Sequence, residues 1–93
     1  MTQVIKKFIL TQGIQNGTFP VTMPTNSKIL SVGLDINHTP TLIALVNPDT
    51  ELEERYFEIF GIDQELPIGP NIHRNFIGCH NERSYSLCIF ERL

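Results

Sequence analysis

The chain has 93 residues, enough for one hydrophobic core and too few for two. Hydrophobic residues make up 41% and charged residues 18%, which excludes a solvated, disordered segment. A net charge of −3 argues against a generally basic clamp on nucleic acid.

In chain order, Val4, Lys6, Phe8 and Leu10 alternate with Ile5, Lys7 and Ile9, the period-two pattern of a first strand. A signal peptide needs a longer apolar run after its basic residues, and no stretch reaches the roughly 20 apolar residues that span a membrane. Thr11 to Gly17 is a polar loop ending in the turn dipeptide Asn16-Gly17. Phe19, Val21 and Met23 mark a second strand. Pro20 has no N–H to give to a ladder, which puts that strand at a sheet edge or a bulge.

Lys28 to Asn37 reads as a third strand, with Leu30, Val32, Leu34 and Ile36 facing the core. Gly33 marks a bulge or a close backbone approach. Thr41 to Val46 is nearly all apolar, as expected of a central strand covered on both sides. Asn47-Pro48-Asp49-Thr50 fits a type I turn. Leu52-Glu53-Glu54-Arg55 holds good helix formers, but the β-prone Tyr56, Phe57, Ile59 and Phe60 make Glu54 to Phe60 a strand. Gly61 to Arg74 is long and irregular, and such loops are often functional. Asn75 to His80 and Ser84 to Glu91 close the chain as a hairpin around Asn81-Glu82-Arg83.

These seven strands predict one all-β domain over residues 1–93, an antiparallel sandwich or open barrel. Several strands are apolar on both faces, which predicts a homo-oligomer. A hairpin turn centred on Glu82 sets Cys79 opposite Tyr85 and Cys88 opposite Phe76. The sulfurs are then too far apart to bond, and two reduced, mostly buried thiols are expected in an intracellular protein.

The sequence holds no Gly-rich phosphate loop, G-x-S-x-G elbow or HExxH motif. Cys79 and His80 are neighbours on a strand and point to opposite faces, so they do not act as a pair. His73 and His80 have no known zinc-ligand spacing, and Glu51, Glu53 and Glu54 read as a solvated turn exit. The positive signal is arginine beside aromatics, Arg55-Tyr56 and then Arg74 at the end of the long loop. Guanidinium suits phosphate and rings suit base stacking. The plainer alternative pairs these arginines with Glu53, Glu54 or Glu82 at the surface.

An ordered set of short motifs runs through the chain: Pro24 to Val32 as PTNSKILSV, Ala44 to Pro48 as ALVNP, Arg55 to Gly61 as RYFEIFG, Phe76-Ile77-Gly78, and Cys88-Ile89-Phe90-Glu91. In this order and spacing the chain resembles a widespread family of small phage-encoded domains without an assigned function. It departs from that pattern at Ile43, where the family usually has Trp. It departs again at Gly61-Ile62-Asp63-Gln64, where the family has G-T-G-H, and at Cys88, where the family has His. More loosely, it is similar to the anti-CBASS sponges, oligomers that sequester the cyclic dinucleotide signals of bacterial antiphage immunity.

That resemblance implies a non-enzymatic binder without a cofactor, tetrameric, acting in the cytoplasm of an infected bacterium on a ligand such as 3'3'-cyclic GMP-AMP. On this reading Arg55, Arg74 and Lys28 hold phosphates, Tyr56, Phe60 or Tyr85 stack on bases, and Gln64 and Asn75 read base edges. No metal, polymeric nucleic acid or membrane is involved. The alternative is a phage accessory protein that inhibits a host protein through a sheet edge or apolar face. A nucleotide hydrolase is the third reading.

Overall fold

A computed structural model describes residues 2–10, 18–82 and 86–93. They form seven strands: β1 (Val4–Ile9), β2 (Phe19–Pro24), β3 (Lys28–Leu34), β4 (Pro40–Val46), β5 (Leu52–Gly61), β6 (Arg74–Asn81) and β7 (Ser86–Arg92). The strands make two antiparallel sheets, ordered β1-β4-β3 and β2-β5-β7-β6. The all-β expectation holds, and the helix formers at the start of β5 lie in strand. Asn16-Gly17, Arg83 and Tyr85 fall outside the described residues.

The core lies between the sheets. Leu42, from the centre of β4, meets Met23, Phe57, Leu87 and Ile89 of the larger sheet, all nearly inaccessible to water. Along one side the sandwich closes where β3 packs on β6. Gly78 makes this contact close: a Cβ there would stand 3.4 Å from Val32 Cγ2. On the other side β1 and β2 are the free edges of their sheets.

Three sequence expectations about β3 and β4 need correction. The β3 bulge falls at Leu30, between Ile29 and Ser31, and not at Gly33. The extra residue shifts the alternation, so Ile29, Val32 and Leu34 pack on the core while Leu30 is 47% exposed. The strand also ends at Leu34. Asp35 Oδ1 accepts the N–H groups of Asn37 and Thr39, His38 takes a positive φ, and Ile36 is left 94% exposed. Finally, β4 is central and its inward row of Leu42, Ala44 and Val46 is fully covered, but on its outer row only Thr41 is buried, and Ile43 and Leu45 are half-buried.

The β6–β7 hairpin differs most. Asn81 pairs with Ser86, and the ladder then runs through His80↔Leu87 to Cys79↔Cys88. The two cysteines are directly opposite, with Cα atoms 4.0 Å apart, and form a disulfide. The expected free thiols rested on a turn centred on Glu82. The observed register is centred beyond it, between residues 83 and 84. The cysteines therefore give no argument for a reducing compartment. No helix among the described residues is long and apolar enough to cross a membrane.

Candidate functional site

The outward face of the larger sheet carries most of the chemistry. Alternation puts Tyr56, Glu58 and Phe60 of β5 on this face, with Arg92, Phe90 and Cys88 of β7 beside them and Arg74 and Phe76 of β6 beyond. Register arranges them in rows. Tyr56, Arg92 and Arg74 form one, and Glu58, Phe90 and Phe76 form the next.

Glu58 is the electrostatic centre. Its side chain is 6% exposed and binds two guanidinium groups. Arg74 Nε donates to Oε1 at 2.8 Å, and Arg92 Nη1 donates to Oε2 at 3.1 Å. Burial pushes the Glu58 carboxyl up, but the two arginines' hydrogen bonds and charges outweigh that and hold it below the usual carboxylate range. The same bond raises Arg74. Arg74 Nη1 also donates to the Pro67 carbonyl at 2.8 Å, which ties the long loop to the sheet.

The aromatics form a cluster next to this network. Phe90 meets Phe60 and Phe76 edge-on, at centroid distances of 5.9 and 5.5 Å. Arg74 stands over Phe60, 5.6 Å from its centroid. Phe60 is buried, whereas Phe76 is 62% exposed and Tyr56 39%.

The structure thus brings together Tyr56, Phe60 and Arg74 of the residues expected to bind a ligand. It separates the rest. Arg55 faces the opposite side of β5. Its Nε and Nη2 donate to the Glu91 carboxylate at 2.7 and 2.6 Å, and its Nη1 donates to the Ser27 carbonyl at 2.7 Å. The hydrogen bond to Glu91 raises the Arg55 pKa. Lys28 sits at the start of β3 in the other sheet, opposite Leu45. Gln64 Oε1 accepts the Gly61 N–H at 2.9 Å and closes the turn that leaves β5. Asn75 is exposed on β6, on the side opposite Arg74. Tyr85 lies outside the described residues.

The arginines do pair with carboxylates, but with Glu91 and Glu58 rather than Glu53, Glu54 or Glu82. Sequence reasoning passed over Arg92, Phe76 and Phe90. Their signal was the alternation of β7, which sets Phe90 and Arg92 on one face; the hairpin register was needed to place that face beside Arg74. His80 Nε2 lies 3.0 Å from a Glu82 oxygen, off the line of a hydrogen bond. Among the described residues no group of three or more His, Cys, Asp or Glu could hold a metal ion.

A family model for a domain of unknown function, DUF7352, matches residues 1–91. The chain belongs to that family. No curated protein and no solved structure matches it. The motifs that run along this DUF7352 chain coincide with its internal supports. Arg55 of RYFEIFG and Glu91 of CIFE are the two halves of one ion pair. Ser27 of PTNSKILSV bonds back to Pro24 and gives its carbonyl to Arg55. Asn47 of ALVNP accepts the Asp49 N–H in the turn after β4.

Proposed function

We propose that this domain binds a small anionic ligand with aromatic bases, of the cyclic dinucleotide class, and sequesters it without turnover. In this reading it is a phage-encoded sponge against bacterial immune signalling, and it works as an oligomer in the host cytoplasm. The observation that carries the reading is the exposed Phe76 ring, one register row from Arg92 on the outward face of the larger sheet. Arg92 gives one hydrogen bond to Glu58 through Nη1, while the donors of Arg74 are directed at Glu58 and Pro67. Two guanidinium groups face one carboxylate, so the cluster has a surplus positive charge for a phosphate. Phe76 and Tyr56 offer faces for stacking, each worth roughly 1–3 kcal/mol per base.

The test is a panel of cyclic mono-, di- and trinucleotides read by thermal shift, with the ligand recovered by heating and identified by chromatography. The expected result is a shift of several degrees with one cyclic dinucleotide, which is recovered intact. Phe76→Ala, at a ring already 62% exposed, should weaken that binding about tenfold or more with little change in the melting point of the free protein, and Arg92→Lys, which keeps the charge beside Glu58, should weaken it as well. No shift with any nucleotide overturns the reading, and a product in place of the ligand makes the domain an enzyme.

A second reading, inhibition of a protein through a sheet edge, draws on β1. This edge strand exposes Ile5 at 66% and Ile9 at 43%. It requires a binding partner whose capture is lost when Ile5 and Ile9 are replaced by Ser.

A further inference from the structure

The open seam between β1 and β2 holds a cleft of about 540 Å³, within the roughly 300–1,000 Å³ range that takes small molecules. Val4, Phe8 and Val46 line it from the three-stranded sheet, and Pro24 and Leu52 from the four-stranded one. Among these apolar walls stands one cation, Lys6. Its place is unusual. Lys6 belongs to the same row of β1 as Val4 and Phe8, opposite Ala44, whose own row is buried in the core. Arg55 and Glu91, the charges on the core-facing rows of β5 and β7, neutralise each other, whereas Lys6 on its core-facing row has no such partner. The short Ala44 side chain leaves room for it, and the missing strand-to-strand contact leaves it wet. Its Nζ lies 5.6 Å from the Phe8 ring centroid, and among the described residues no carboxylate stands within ion-pair distance.

From this we infer that the seam is a binding site for a free amphiphilic carboxylate, an apolar chain with one acid group. The chain lies along Val4, Phe8 and Leu52, and the carboxylate meets the Lys6 ammonium. The charge selects the head: one unpaired cation matches one anion, while a cationic amphiphile is repelled and a neutral one gains only the walls. This site shares no lining residue with the Arg92 and Phe76 cluster and does not depend on the nucleotide reading.

Three probes of equal chain length test it: decanoate, decanol and decyltrimethylammonium, all below micellar concentration, followed by calorimetry and by amide NMR shifts at Val4, Phe8 and Leu52. Decanoate should bind about tenfold or more tightly than decanol. Lys6→Met keeps the apolar stem and should bring the two to equal affinity. Leu52→Asn, at a side chain already 67% exposed, should weaken both without unfolding the chain. Phe76→Ala should leave decanoate binding unchanged, which separates this site from the nucleotide face. The inference is overturned if decanoate binds no better than decanol, if nothing binds, or if Lys6→Met keeps the preference.

Discussion

At the scale of single residues, the charges that look like ligand contacts in the sequence are of two kinds. Arg55 is a clamp. It joins β5 to β7 through Glu91 and to the turn before β3 through Ser27, with side chains only 17% and 12% exposed across the ion pair. Removing one partner of such a pair leaves the other desolvated and alone. Arg55→Ala should therefore cost about 3 kcal/mol in urea unfolding, and any loss of ligand binding in that variant reports the fold. Glu58 behaves differently under acid. Its folded pKa lies below the ordinary value of 4.5 because Arg74 and Arg92 outweigh burial. The unfolded chain therefore binds the proton first, and the stability that Glu58 contributes is present above pH 4.5 and lost as pH falls through the lower, folded pKa. Melting points measured downward from pH 5 should fall more steeply for the native protein than for Glu58→Gln. Equal slopes would remove Glu58 from the acid transition.

At the scale of elements, register decides what alternation alone leaves open. In β3 one extra residue at Leu30 exchanges which side chains meet the core, and Leu30 and Ile36 lose the places their spacing gave them. In the last hairpin, a register set beyond Glu82 brings Cys79 and Cys88 into direct opposition. A cross-link between residues nine apart closes a short loop, and the chain-entropy account assigns it about 2–3 kcal/mol. Replacing both cysteines by Ser should lower the melting point on the order of 10–20 °C. Reductant should do the same to the native protein and nothing to the variant. If reductant has no effect on the native protein, the disulfide does not contribute.

At the scale of the whole molecule, the two sheets close on one side and stay apart on the other. Glycine at position 78 lets β3 and β6 approach through Val32. Across the sandwich, β2 carries Pro20 and Pro24, which have no N–H to offer a neighbouring strand, and it remains an edge. The consequence is a molecule with two separate surfaces of interest. One is the outward face of the larger sheet, with rings and guanidinium groups. The other is the seam, with apolar walls and Lys6. The motifs shared along the chain support the interior between them, which is why they point to a family and a fold more readily than to an activity.

By itself, the sequence determined the class of the molecule. Period-two alternation is a local property of the strand backbone, so seven strands, their approximate limits and the Asn47 turn can be read without tertiary information, and Pro20 narrows β2 to an edge or a bulge. It also determined that Tyr56, Phe60 and Arg74 are available as chemistry. What only the tertiary structure decided is which side chains share a surface. That depends on bulges and hairpin register, single-residue shifts that turn a side chain to the other face. By that route Arg55 went to Glu91, Arg92 and Phe76 joined Arg74, the cysteines met, and Lys6 was left facing an open cleft.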